Sequence, residues 1–424
     1  MTARAAPRPS ARGRRVVVTG LGVISPIGVG LAAFAAGLRT GRSGAAPVRG
    51  FDTTGFEHDI ACEVPDFDAA DWLQELDPAD LGRASRFAVA AARLAVADAS
   101  GDPAAAEHTV ARLRSRHGLI AIGTTMGESR DIDALVAQEL AHGPAGMSPA
   151  LARRINAGRL SVSIAHELGL TDVEPVTVPT ACAAGNYAIG HGYDAVRAGD
   201  VDFALCGGAD ALCRKTFAGF YRLGAMAPDR CRPFDLDRRG MLTGEGAGVL
   251  LLEDLESARA RGARIHAEVL GYGLNCDAAH PVAPDSDSVA RCMRLALDDA
   301  NVEPEEVDLI SAHGTATKAN DIAEARAIRG VFGDASPPRT VSMKSMLGHT
   351  LGAASALAAI GCVVAIGEGF IPPTINHEET DPECGLDCVP NEAVEADLRV
   401  VQNNALAFGG NNAVLLLGRY EEPS

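Results

Sequence analysis

Val176-Thr177-Val178-Pro179-Thr180-Ala181-Cys182-Ala183-Ala184-Gly185 is the stretch on which the fold turns. A β-branched run stops at a proline, small residues follow, and a small-residue helix runs on through Tyr187 and Ile189, with a cysteine at the junction. The same order returns later, where Val341 to Met343 leads through Lys344 and His349 into a second small-residue helix. Outward from the first junction lie Arg15 to Leu21 and Gly118 to Gly123 as buried strands, Arg86 to Ser100 as a helix, and Val201 to Gly207 as a strand. Outward from the second lie Ile265 to Gly271, Val307 to Ser311, Gln402 to Phe408 and Ala413 to Leu417. Alternating strands and helices predict an α/β protein, and the repeat predicts two similar halves. We expect a disordered tail over 1–14, one half over 15–260 and the other over 261–424, with a site where the halves meet.

Composition narrows the function. The 424 residues are 47% hydrophobic and 22% charged, with a net charge of -17. Phosphate-backbone binding needs basic surface, and with only 4% aromatic residues stacking surfaces are scarce, so a nucleic-acid partner is not expected. The tail carries Arg4, Arg8, Arg12, Arg14 and Arg15 without the apolar stretch of a signal peptide. Apolar runs such as Ala353 to Ile366 are short and broken by Gly and Ser, so no membrane span is expected. Ten cysteines in a chain this long make no disulfide framework. Cys384 and Cys388 lack a second Cys or His pair for zinc, so we read them as structural. The expected setting is the reducing cytoplasm.

Cys182 sits where a strand feeds a tight turn and a helix begins. Small neighbours let a thioester approach, and the helix N-terminus should favour the thiolate. His313 follows a buried strand in Ser311-Ala312-His313-Gly314-Thr315-Ala316-Thr317, and His349 stands in the same setting in Lys344-Ser345-Met346-Leu347-Gly348-His349. Lys215, Lys318 and Lys344 are the only lysines, so one retained beside His349 points to a specific role. Phe408-Gly409-Gly410 follows another buried strand, where glycines allow close backbone approach to a ligand.

Together these motifs resemble the elongating β-ketoacyl-acyl carrier protein synthases of fatty acid and polyketide synthesis, in the branch with a Cys-His-His triad. The resemblance runs from Arg14-Arg15-Val16-Val17-Val18-Thr19-Gly20-Leu21-Gly22 through Arg232-Pro233-Phe234-Asp235 and Gly244-Glu245-Gly246-Ala247-Gly248 to Phe408-Gly409-Gly410. It implies the thiolase fold, two pseudo-repeated halves in a five-layer α-β-α-β-α sandwich, as a homodimer or a heterodimer with a homologous subunit. It also implies roles. Cys182 would accept the acyl group from acyl-ACP, and His313 and His349 would hold the thioester oxygen of malonyl-ACP as carbon dioxide leaves. Lys344 would support the triad, and the backbone N–H groups of Cys182 and Phe408, beside Gly409, would form the oxyanion hole. Thr315 and Thr317 would bind the phosphopantetheine arm, and Phe408 would gate the pocket. No metal or bound cofactor is implied; phosphopantetheine comes attached to the acyl carrier protein.

The chain also departs from the family pattern. Ala358 stands where a glutamate is usual, so Lys344 needs a partner from elsewhere. Asn411 replaces a common threonine, and Arg153, Arg154 and Asn156 make the Pro149 to Leu160 segment polar. These changes favour polyketide or polyene assembly over housekeeping fatty acid synthesis. Met126 and Leu151 are the expected pocket wall, and Arg83, Arg86, Arg214 and Lys215 the expected carrier-protein patch. A partner-dependent subunit, paired with a chain-length-factor-like homologue, is the alternative. A degradative thiolase fits less well, because thiolases carry another cysteine near the C-terminal glycines and Phe408 to Asn412 has none.

Overall fold

All ten residues of Val16–Ser25 (β1) are buried, as expected of a strand covered by helices on both faces. In the computed structural model, which describes residues 13–101, 105–335 and 337–422, β1 opens the first half. That half continues with Gly118–Gly123 (β2), Val173–Val178 (β3), Phe203–Asp210 (β4) and Gly246–Asp254 (β5). The second half holds Ala267–Cys276 (β6), Leu309–Ser311 (β7), Arg339–Val341 (β8), Val400–Leu406 (β9) and Asn411–Gly418 (β10). The strand path reads β8-β7-β9-β10-β6-β1-β5-β4-β2-β3. Read outward from the centre, each strand matches the one five numbers later. The senses agree too: β2 is parallel to β3 and β4, as β7 is to β8 and β9, while β1–β5 and β6–β10 are antiparallel. Val16 to Val18 pairs with Ala267 to Val269 to join the halves.

The helices sort into layers. Arg83–Ala99 (α1) and Arg159–Leu168 (α3) cover the first half-sheet, with Ser129–His142 (α2) beyond them. Ala184–Ala198 (α4) lies inside, and Arg214–Arg222 (α5) sits in the long excursion between β4 and β5. Ser286–Ala300 (α6) and Lys318–Phe332 (α7) cover the second half-sheet. Ala354–Glu368 (α8) pairs with α4 in the middle, and both touch strands of each half. The stretch Leu351–Glu368 is long and apolar enough to cross a membrane by composition, yet 89% of it is buried in this central layer.

Most of the predicted tail lies outside the described residues. Arg14 is anchored, its N–H donating to Arg197 O at 3.0 Å, and Arg15 pairs with Glu268 at 2.5 Å. At the other end of the path, β3 is an open edge, with Glu174 and Pro175 exposed. Proline is tolerated there because no neighbour needs its missing N–H. On α2, Ile132, Val136 and Leu140 recur every fourth residue and are 37%, 46% and 84% exposed, an apolar stripe left uncovered among the described residues.

Candidate active site

β3 delivers the chain into a single 3₁₀ turn, Ala181–Ala183, which sets Cys182 immediately before α4. Ala181 holds φ at 52°, a left-handed value that costs a side-chain-bearing residue about 1–2 kcal/mol. α4 starts close against α8: a Cβ on Gly185 would stand 2.6 Å from Ala356 N and 2.7 Å from Ser355 Oγ. Only glycine permits that approach, and the Asn186 N–H closes it by donating to Ser355 Oγ at 3.0 Å.

His313 follows β7, and His349 lies between β8 and a second 3₁₀ turn, Leu351–Ala353. Their rings meet edge to face with centroids 5.5 Å apart. Both are buried, and burial with the Lys344 charge holds both imidazoles well below the ordinary histidine pKa. They are therefore neutral at pH 7. Backbone geometry then assigns their protons. The Leu351 N–H donates to His349 Nδ1 at 3.1 Å, so Nε2 carries the hydrogen. Lys344 Nζ donates to His313 O at 2.6 Å and lies 3.4 Å from His313 Nδ1, which assigns the His313 proton to Nε2 as well. Two Nε2–H donors are thus fixed by their opposite nitrogens.

Cys182, His313, His349, Thr315, Thr317 and Phe408 all line one cavity. Thr315 and Thr317 hydroxyls lie 2.9 Å apart. Phe408 sits at the rim, 37% exposed, with its ring 6.0 Å from that of Phe220, and Phe220 in turn stacks on His349 at 6.4 Å. Gly409 and Gly410 have φ of 91° and 83°, and a Cβ on Gly410 would meet Asp277 Cβ at 2.9 Å. The Gly409 N–H donates to Pro281 O at 2.8 Å, tying this turn to the opposite rim. The open volume is about 40 Å³, space for a few waters and not for an acyl chain.

The Cys182 thiol departs from the sequence expectation. Burial pushes it up to about 11, against the opposing pull of Lys344 and of the backbone N–H groups of Phe408 and Cys182. The turn does aim N–H groups at sulfur, but desolvation outweighs them, so the resting residue is a thiol and not the expected thiolate.

Lys344 finds its partners outside the position of Ala358, which packs against the core. Burial lowers the Lys344 pKa, while Glu324 opposes that shift. Glu324 lies on α7, accepts the N–H groups of His313 and Gly314 at 2.8 Å each, and takes the Asn404 amide at 3.0 Å. Asp210, at the end of β4, accepts from Thr124 Oγ1, Thr125 N, Met126 N and Gly352 N at 2.6–2.9 Å, bracing the His349 turn against the loop after β2. Sequence reading missed both carboxylates. A signal for Glu324 was available, an acidic residue in the second turn of a helix opening directly after His313-Gly314-Thr315. Asp210 carried none beyond its place at a strand end.

Other expected residues lie elsewhere. Met126 packs in the cluster that holds Phe220, behind the cavity, and Leu151 lies on the short helix Pro149–Arg154; neither lines the space around Cys182. The expected basic patch needs correction at Arg83, which pairs with the fully buried Glu245 at 2.6 Å. Arg86 is partly buried and donates to Pro78 O, Lys215 Nζ donates to Ser129 Oγ at 2.7 Å, and Arg214 lies over the Phe56 ring. Arg214 and Lys215 nevertheless remain exposed. Cys384 and Cys388 are buried free thiols, with Cys388 Sγ 3.5 Å from His377 Nδ1.

Two duplicated half-sheets around a central helix pair, with a cysteine at the junction, are the architecture of a thiolase-fold enzyme. The chain belongs to the β-ketoacyl synthase family: residues 13–258 match the family's N-terminal domain and residues 266–378 its C-terminal domain. It is 39% identical over 422 residues to 3-oxoacyl-[acyl-carrier-protein] synthase 2 of Synechocystis sp., covering 96% of this chain and 99% of that one. The synthase of the same name from Staphylococcus aureus is 36% identical over 417 residues, with the same coverage. Among solved structures, the ishigamide ketosynthase/chain length factor aligns with a TM-score of 0.93 and 64% identity, over 96% of this chain and 100% of the other. A type II PKS ketosynthase, solved with its acyl-carrier protein and bound to the hexaketide, aligns at 0.86 and 31%, again over 96% and 100%.

Proposed function

We propose that this chain is the catalytic subunit of a type II polyketide or polyene ketosynthase, extending a Cys182-bound acyl group by decarboxylative condensation with malonyl-ACP. The observation that carries this is a pair of neutral imidazoles lining the cavity that holds Cys182, each with its Nδ1 engaged, which leaves both Nε2 atoms as N–H donors.

The reaction divides into two parts. In the first, Cys182 sulfur attacks the acyl thioester, the phosphopantetheine thiol leaves, and the proton of one thiol ends on the other. The thioester oxygen becomes negative on the way, and the N–H groups of Cys182 and Phe408 stabilise it. In the second, malonyl-ACP enters past Phe408 and places its thioester oxygen between His313 and His349. Its C–C bond to the carboxylate breaks, carbon dioxide departs, and the electron pair forms an enolate held by two N–H donors. Each such donor is worth about 3–4 kcal/mol in a site without water. The enolate carbon then attacks the Cys182 thioester, and the cysteine sulfur leaves as a thiolate that takes a proton from solvent to restore the resting thiol. Thr315 and Thr317 hold the arm in both parts, and Lys344 fixes the His313 tautomer. With about 40 Å³ open in the resting cavity, Phe408 must swing aside for either substrate.

The heteromeric form of this reading rests on the unpartnered α2 stripe and the open β3 edge, together with 64% identity to a chain of the ishigamide ketosynthase/chain length factor. Met126 and Leu151 would then border the acyl chain where it nears the partner. The deciding test is intact-protein mass after incubation with a panel of acyl-ACP thioesters, alone and with a co-encoded homologue. An acyl-sized gain that disappears in Cys182→Ala is expected; no gain with any donor, with or without the homologue, overturns the reading.

A further inference from the structure

Four residues after Cys182, α4 turns an amide, Asn186, into a central layer built mainly of small and aliphatic side chains. Asn186, Ser355 on α8 and Asn403 on β9 are all buried, each at most 3% exposed. An amide at that depth is costly unless every polar atom finds a partner, so its hydrogen bonds carry information.

Those bonds close on one another. Asn186 Nδ2 donates to Asn403 O at 3.1 Å and to Ala413 O at 3.3 Å. Asn403 Nδ2 donates to Asn186 Oδ1 and to Ser355 O, both at 2.9 Å. All four amide hydrogens are thereby used, and each crosses to a different element. Ser355 completes the group. The residue before α4, Ala183, offers no side-chain acceptor, and the orphan N–H of Asn186 in the first turn donates to Ser355 Oγ instead.

Two segments of the site meet at this amide pair. α4 begins just after Cys182, and β9 runs from Asn403 to Leu406, two residues short of Phe408. Backbone N–H groups of Cys182 and Phe408 both reach the Cys182 sulfur. Ala183, Ala405 and Ala413 also pack between the segments, but methyl contacts are non-directional, whereas hydrogen bonds fix direction as well as distance. The histidines are braced differently. Asn404, on the opposite face of β9, donates to Glu324 beneath His313, and Asp210 holds the His349 turn.

We propose that Asn186 and Asn403 are positioning residues for acyl transfer, holding the Cys182 turn in register with the strand that presents the Phe408 N–H, while decarboxylation at His313 and His349 proceeds without them. The inference rests on the functional reading above and adds what sets its oxyanion hole.

The test uses Asn186→Val, Asn403→Val and the double variant, each in the full chain with the co-encoded homologue present. A single change leaves one buried amide short of a partner. The double change removes both amides and so serves where a single variant does not fold. In Asn403→Val, kcat for acyl transfer from acetyl-ACP should fall about tenfold with KM unchanged, less than the loss of an oxyanion donor outright. Carbon dioxide release from malonyl-ACP should stay within about twofold of wild type, because its two donors are untouched. The double variant should lose no more than the worse single variant, since the pair is lost only once. Iodoacetamide supplies a sign that a structural role would not. Withdrawing the Phe408 N–H disfavours the thiolate, so alkylation of the Cys182 peptide at pH 8 should slow about two- to threefold. A merely loosened core exposes the thiol and speeds alkylation. Faster alkylation, equal losses of acyl transfer and decarboxylation, losses that add in the double variant, or unchanged acyl transfer overturn the assignment. Failure of the functional reading looks different: the wild type then takes no acyl group from any carrier donor, and the positioning role falls with it.

Discussion

The Cys182 turn and the His349 turn are the same structure used twice. Each follows the fourth-from-centre to edge transition of its half-sheet, each contains a residue at positive φ (Ala181 at 52° and Leu351 at 57°), and each runs through a three-residue 3₁₀ turn into a fifteen-residue helix. The difference lies in what comes before. From Val178, the last residue of β3, to Ala181 is 3 residues; from Val341, the last of β8, to Leu351 is 10. The longer connection holds Lys344 and His349. The hairpin connections show the opposite bias: 35 residues, 211–245, separate β4 from β5, whereas 4 residues, 407–410, separate β9 from β10. The two helix ends are equivalent, and the unequal connections fit the proposed division of labour, one end seating the nucleophile and the other the donors.

That division predicts separable losses, and this is the largest effect. Cys182→Ala should abolish acylation and condensation while malonyl-ACP still loses carbon dioxide, because both Nε2–H donors stay in place. His349→Ala should do the reverse, with acylation retained and decarboxylation down about 10²- to 10³-fold, the usual cost of one such donor. Release of carbon dioxide and intact mass read the two halves independently. If either variant loses both activities equally, the turns do not work as separate devices.

Gly185→Ala attacks what the turns share. Its Cβ would collide with Ala356 backbone, and relief requires the two central helices to part. We expect a loss of about 3 kcal/mol in unfolding free energy, read from the denaturant midpoint. Acylation and decarboxylation should fall together here. An unchanged midpoint would show that the helix contact is looser than the geometry requires.

The two turns also differ in how they respond to pH. Cys182 titrates near 11, so alkylation by iodoacetamide should climb close to tenfold per pH unit from 7 to 10 without levelling. The imidazoles are held well below their ordinary value, so they are already neutral and decarboxylation should stay flat from pH 6.5 to 8. The Lys344 charge lowers all three pKa values. Lys344→Met should therefore slow alkylation several-fold at fixed pH and bring the histidines nearer to titration. A plateau in the alkylation rate below pH 9 would contradict the buried thiol.

Much of this was legible in the sequence. Period and repetition gave the two halves, because strands buried on both faces read as apolar runs and small-residue helices mark the crowded centre. Cys182, His313 and His349 stood out because each follows a strand end, where side chains face a site. What sequence missed depends on charge in three dimensions. The helix-end argument for a thiolate was sound locally but ignored burial, which Cys182 shares with the rest of the central layer. Arg83 looked like surface until Glu245, 162 positions away, claimed it. Lys344 had no visible partner because Glu324 reaches it from a different element, through the backbone of His313.

The smallest predicted effect separates the two turns most finely. Ala181 and Leu351 carry the same backbone strain, yet glycine should help at one position and harm at the other. At Ala181 the left-handed conformation costs about 1–2 kcal/mol, and glycine removes it while losing about 0.5–1 kcal/mol in chain entropy on folding. Ala181→Gly should thus raise the unfolding free energy by up to about 1.5 kcal/mol. Leu351 is fully buried in the cluster around Phe217 and Phe220, so deleting its side chain outweighs any relief. The gain at Ala181 should come with slower acylation, since a relaxed turn no longer holds the thiol against the Phe408 N–H. Paired measurement of unfolding midpoint and acyl mass gain checks both signs. A stability loss in Ala181→Gly would mean that the turn is not strained, and that the left-handed residue before Cys182 is only a consequence of the helix that follows it.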